Sequence, residues 1–162
     1  MGPIGPRGIR GPAGPSNFIA TYGRNTPDAN VAVPFTAAPG APTFAPIIVG
    51  TSASPARFIT ATAAFTVIQA LAPAIDDKQT VEFAIRVTDA DGSRVVTRTT
   101  LLLDEGETES GALATRVPIA AGEATVELLS RALVSTSDGP PPATGASILP
   151  TSGALVVVES LT

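Results

Sequence analysis

An all-β sandwich behind a short Gly-X-Y stalk is what this 162-residue sequence predicts, and three observations predict it. Glycine occupies every third position at the start, at Gly2, Gly5, Gly8, Gly11 and Gly14. About ten short strand-like segments follow, separated by turn signals at regular spacing, the pattern of a β-sandwich or jelly roll. No segment beyond the repeat reads as a helix, and the prolines from Pro27 to Pro55 exclude long helices and central strands there.

The glycine register is the signature of a collagen triple helix, in which three chains wind about a common axis that only glycine can occupy. Proline follows glycine in four of the five triplets, where its fixed φ suits a polyproline II strand. The chain therefore divides into a stalk over 1–16 and a head over 17–162, and the stalk predicts a homotrimer. Five triplets span about 45 Å at the rise of polyproline II. They are too few to hold together alone, so the head is expected to bring the three chains into register.

Within the head, Asn17 to Arg24 reads as a first strand, with Phe18, Ala20 and Tyr22 alternating against Ile19 and Thr21. Short strands fit at Val31 to Thr36 and Phe44 to Val49. Arg57 to Leu71 is rich in threonine and β-branched residues. Thr80 to Thr88 alternates cleanly, with Val81, Phe83, Ile85 and Val87 on one face and Glu82, Arg86 and Thr88 on the other. Asp89-Ala90-Asp91-Gly92 supplies a turn, and Ser93 to Leu103 returns as the partner strand of a hairpin. Asp104 to Gly111 is a polar, acidic loop. Ala112 to Ile119 and Gly122 to Val134 read as a second hairpin turning at Ala120-Ala121-Gly122, with Pro118 near a strand end. A proline-rich loop over 135–150 holds a short strand at Ala146 to Leu149. The chain closes on Ala154 to Leu161, whose Leu155, Val156, Val157 and Val158 are apolar on both faces. A sheet facing water alternates, so such a strand is expected to lie both inside the fold and against a neighbouring subunit.

A short collagen stalk followed by an all-β head that ends in an apolar strand resembles the collagen-tailed members of the complement-head and tumour-necrosis-factor-like jelly-roll superfamily. Within that group it most resembles bacterial and bacteriophage collagen-like proteins. Gly2 to Ser16, Asn17 to Arg24, Thr80 to Leu103 and Ala154 to Thr162 carry the resemblance. The resemblance implies a threefold trimer whose first and last strands lie near the axis. Phe18, Leu155, Val156, Val157 and Val158 are then the expected interface residues. Two features depart from relatives: animal members have signal peptides and more aromatic cores, and spore-surface members carry a leader and a longer repeat.

Composition narrows the chemistry. Histidine and cysteine are absent, which excludes Ser-His-Asp and Cys-His catalysis and removes the usual zinc ligands. A Ser-Lys arrangement would have to use Lys78, in the polar run Asp76-Asp77-Lys78-Gln79. Asp89-x-Asp91-Gly92 resembles the start of a calcium loop, but the position that needs glutamate is Thr100, and a hairpin turn explains the same residues. Asp104-Glu105-Gly106-Glu107-Thr108-Glu109 is a denser acidic cluster, read as a solvated loop. Neither metal nor cofactor is expected. The net charge is −4 and the stalk contributes only Arg7 and Arg10, so the head is an acidic body and a poor nucleic-acid partner. No apolar run approaches the ~20 residues of a membrane span.

The sequence thus points to a non-enzymatic structural trimer. Because the repeat begins at residue 2 and leaves no room for a signal peptide, the expected setting is a virion assembled in the cytoplasm. A bacteriophage fibre or capsid decoration protein is the leading reading. Its N-terminus would face the capsid or another particle protein, and its head would face outward toward a host cell-surface glycan or protein. A bacterial cell- or spore-surface adhesin is the alternative. A hydrolase on a β-sandwich scaffold is a third reading and would require a pocket with two close carboxylates.

Overall fold

A computed structural model describes residues 17–69, 79–104, 106–133 and 145–161. Every regular element among them is a strand. These are β1 (Phe18–Asn25), β2 (Val31–Ala32), β3 (Ala41–Pro42), β4 (Ile47–Val49), β5 (Arg57–Gln69), β6 (Gln79–Asp89), β7 (Gly92–Leu103), β8 (Thr108–Ile119), β9 (Ala124–Leu133), β10 (Ala146–Ile148) and β11 (Ala154–Ser160). The collagen register at Gly2, Gly5, Gly8, Gly11 and Gly14 lies outside the described residues, as does Lys78.

The strand pairing is that of a jelly roll. Four antiparallel pairs are nested: β6 with β7 innermost, then β5 with β8, then β3 and β4 with β9, and β1 with β11 outermost. The chain is in effect one long hairpin, rolled up when β11 joins β5 and β9 joins β6. Rolling yields two sheets. The first runs β1-β11-β5-β8, with β10 and β2 extending it beside the far end of β5; the second runs from β3 and β4 through β9 and β6 to β7. This double Greek-key wrapping defines the fold from its own connectivity.

Alternation decides what the sheets enclose. Val81, Phe83, Ile85 and Val87 are fully buried, and so are Ile59, Ala61 and Val67 of β5 and Val126 and Leu128 of β9. Phe65 stacks on Phe83 across the two sheets, with ring centroids 3.8 Å apart and planes 20° from parallel. Gly111 of β8 lies opposite Phe65, and a Cβ there would collide with the ring; the absent side chain is what lets the aromatic pair form.

Several sequence expectations are corrected. Ala112–Ile119 and Gly122–Val134 do not form a hairpin: β8 pairs with β5 in the first sheet and β9 with β6 in the second, so the Ala120–Gly122 connection crosses between sheets. Each strand finds its partner far away in sequence, which local turn chemistry cannot reveal. The acidic loop is shorter than read, because β8 begins at Thr108, and Glu109 already pairs with Val67. The strand read over Val31–Thr36 ends at Ala32, and that over Phe44–Val49 begins at Ile47, next to Pro34 and Pro46, which lack the ladder donor. In β1 the register shifts between Phe18 and Ala20, so the alternation read there is interrupted by a bulge at Ile19.

Candidate assembly face

The outward face of the first sheet is built from cross-strand rows. Phe18, Ser160, Phe58 and Pro118 form the row nearest the N-terminus, followed by Thr21, Val158, Thr60 and Arg116. Next come Gly23, Val156, Thr62 and Ala114, and then Asn25, Ala154, Ala64 and Ala112. Directly opposite residues in an antiparallel pair share a face, so these side chains all point away from the core. The face carries one charge, Arg116, whose guanidinium lies 4.6 Å from the Phe58 ring centroid. Small residues make the middle rows concave. Thr62, Ala64, Ala112, Ala114, Ala154 and Val156 line an apolar depression of about 400 Å³.

The last strand divides as its pattern requires. Leu155 and Val157 are fully buried in the head's own core. Val156 is 36% exposed and shares the outward face with Val158. Of the five residues expected at an interface, Phe18, Val156 and Val158 are presented outward, and Leu155 and Val157 are not.

Behind the face lies a cluster that sequence reading missed. Arg57 and Glu159 are paired at 2.6 Å with both side chains 1% exposed. The Glu159 carboxylate also accepts from the Tyr22 hydroxyl at 3.0 Å. Arg57 donates to the carbonyls of Pro55, Gly122 and Val49 at 3.1, 2.9 and 3.2 Å. The cluster thus ties β1, β5 and β11 of the first sheet to β4 of the second and to the β8–β9 connection. Gly50 makes room for it: its φ is +71°, and any Cβ would overlap the guanidinium. The signal was present in the sequence, since Glu159 continues the inward series Leu155, Val157 and is a charge at a core position.

The remaining candidates resolve into structure. Asp89 closes the β6–β7 hairpin: its carboxylate accepts from the backbone of Asp91 at 3.1 Å and of Ala120 at 3.2 Å, and from both terminal nitrogens of Arg94 at 3.0 Å. Arg94 holds the Asp89 carboxyl below its ordinary value of 3.8, aided by the two backbone donors, and Asp89 in turn raises Arg94. Gly92 takes the positive φ of 115° that the turn requires. Every strong acceptor direction of Asp89 is used, so the Asp-x-Asp-Gly motif is a turn. In the acidic loop, Glu107 accepts from the Asp104 backbone at 3.0 Å. No group of three metal-ligating side chains occurs among the described residues. No helix among them is long and apolar enough to cross a membrane.

Fold and face together define the class: an antiparallel jelly-roll domain with one nearly uncharged outward sheet. No protein family and no curated protein matches the chain in sequence. Among solved structures it is similar to the Eiger tumour necrosis factor of S. frugiperda, with a TM-score of 0.49 and 11% identity over 90% of this chain and 94% of that one. It is also similar to a chain of infectious bursal disease virus strain Gx (TM-score 0.47, 12% identity, 86% of this chain), of which it spans 32%. The stem and receptor-binding domain of spike protein P1 from bacteriophage PM2 gives a TM-score of 0.39 and 12% identity over 85% of this chain and 66% of that one.

Proposed function

We propose that the chain is a non-enzymatic structural protein that works as a homotrimer, a bacteriophage virion fibre or capsid decoration protein carrying its jelly-roll head on a short collagen stalk. The observation that carries the assembly is the outward face of the first sheet, a nearly uncharged surface where Phe58, Ala64, Ala112, Ala114, Val156 and Val158 lie among neutral polar residues and a single guanidinium. Burial of such a face between subunits is what distinguishes obligate assemblies from free surfaces. The number three comes from the glycine register at the N-terminus, which supports a triple helix; the face alone leaves the number open. Attachment follows from trivalency: three heads on one stalk bind a host surface by avidity even where each binds weakly. The resemblance to bacterial and bacteriophage collagen-like proteins supports a surface setting, and of the two we take the virion.

Sedimentation equilibrium tests the assembly. A mass near three times the 16.2 kDa chain is expected, and a stable monomer overturns the reading. Antibody labelling tests the setting. Label on purified virions supports it, whereas label confined to bacterial cells or spores favours the surface adhesin.

A further inference from the structure

None of the eight residues of β1 is buried, whereas every other strand of three or more residues among those described buries at least one. Its inward positions are Ala20, Tyr22 and Arg24, opposite Glu159, Val157 and Leu155. A small residue, a half-buried ring and an exposed arginine bring little apolar burial. Gly23 weakens the strand further: the space where its Cβ would lie is open, so no close contact requires the glycine. The Tyr22 hydroxyl donates to Glu159 at 3.0 Å, and the other hydrogen bonds of this segment among the described residues are backbone bonds, to β11 and from the Leu161 N–H to the Asn17 carbonyl at 2.8 Å. The core closes without β1. Thr26, the first buried residue after it, donates its N–H to the Gly153 carbonyl at 2.8 Å and accepts from the Gly153 N–H on its hydroxyl at 3.0 Å. A Cβ on Gly153 would collide with the Thr26 methyl, so the glycine permits this anchor. β11 is paired with β5 along its length, and Glu159 with Arg57. Lifting β1 therefore orphans no buried charge and stops at Thr26. On the outward side, Thr21 and Gly23 lie beside Val158 and Val156, so whatever covers the first face also presses on β1.

We propose that β1 is a strap closed by assembly: it opens from β11 in the free head and is held shut once other copies of the chain cover the first face. This rests on the trimeric reading and adds to it a segment whose order depends on the contact. Segments with few buried apolar contacts open at the lowest cost in free energy. Covering the face supplies what β1 lacks, because it buries Phe18, which is 56% exposed, together with the outward side of the strand. It also keeps the β11 edge paired, and an unpaired edge is a template for foreign strands. Residues 1–16 run directly into β1, so they are fastened firmly to the head only in the assembled protein.

The test is amide hydrogen exchange of the full chain, read by mass spectrometry and corrected for intrinsic rates, with β5 as the reference inside each molecule. In Ala114→Glu, which is expected to be monomeric, residues 18–25 should exchange at least about a hundredfold faster than residues 57–69. In the assembled wild type that gap should shrink by at least about tenfold. Equal protection of the two segments in the monomer overturns the strap. A gap of the same size in the monomer and in the assembled wild type overturns its closure by assembly and leaves the trimer standing. A wild-type chain that sediments as a monomer overturns the trimeric reading and the closure together. Where Ala114→Glu fails to fold or stays assembled, Thr62→Glu, in the same cross-strand row, supplies the monomer.

Discussion

On the first sheet, the outward positions are filled by Thr60, Thr62, Ala64, Ala112, Ala114, Val156 and Val158. On the second sheet the corresponding face carries Glu82, Arg86, Arg98, Glu127 and Arg131. There Arg131 meets Glu82 at 2.8 Å, Arg98 meets it at 3.7 Å, and Arg86 meets Glu127 at 2.7 Å. Ala84 and Leu129 point the same way yet are buried, flanked by the arginine stems and by the β3 turn, whose Gly40 abuts Leu129. One sheet thus lays ion pairs across the middle of its outward face, with Leu102 and Ile48 left exposed beside them, and the other carries a single charge. Both faces come from alternating strands of one chain, so the inward pattern that makes the fold does not explain the contrast. What differs is charge: the second outward face carries paired ionised side chains and the first a single guanidinium.

The largest expected effect comes from giving the first face the chemistry of the second. Ala114→Glu places a carboxylate in the middle rows, where an unpaired buried charge is costly. The measured mass should fall about threefold, from trimer to monomer, with the far-ultraviolet circular dichroism of a folded β domain retained. Thr100→Glu, on the outward face of the second sheet, should leave the mass unchanged. Equal behaviour of the two variants would erase the distinction between the faces.

Breaking the cluster behind the first face comes next. Glu159→Gln leaves Arg57 charged and buried, and removing one partner of such a pair costs about 3–5 kcal/mol. Urea unfolding should read this as a lowered midpoint at nearly constant slope. Tyr22→Phe removes one hydrogen bond to the same carboxylate and should cost about 1 kcal/mol.

The hairpin turn predicts a pH dependence. Asp89 is held below its ordinary pKa by Arg94 and by two backbone donors, so the folded state binds its proton less readily than the unfolded chain. The stabilisation is complete above the unfolded value near 3.8 and is lost as pH falls through the lower folded value. Asp89→Asn should cost about 1–2 kcal/mol at neutral pH, and the difference from wild type should shrink on acidification. A difference that grows below pH 4 contradicts this assignment.

Legibility in the sequence follows the same division. The β6–β7 hairpin was readable because period-two alternation and an Asp-Gly turn coincide within Thr80–Leu103. The two-sided apolar character of the last strand was readable too, and the structure assigns Leu155 and Val157 to the core and Val156 and Val158 to the outward face. What could not be read was pairing between distant segments. β8 joins β5 rather than β9, and Arg57 meets Glu159 across 102 residues of sequence, because neither partner leaves a local mark on the other. The bare face was hidden for a related reason. Thr62, Ala64, Ala112 and Ala114 are unremarkable singly, and become a surface only once β11, β5 and β8 are set side by side.

The smallest effect belongs to the charged face. Arg86 and Glu127 are paired across β6 and β9, with side chains 26% and 12% exposed, and Glu127 raises the Arg86 pKa chiefly through their hydrogen bond. Such a partly exposed pair gains little over its hydrated partners, so a double-mutant cycle with Arg86→Ala and Glu127→Ala should give a coupling of about 0.5–1 kcal/mol. Raising the salt concentration should weaken it, because screening acts on exposed charges. Assembly should be indifferent: the double variant should sediment as the wild type does. A shift in oligomeric mass from Arg86→Ala/Glu127→Ala would instead place the second face in a subunit contact and remove the asymmetry between the sheets.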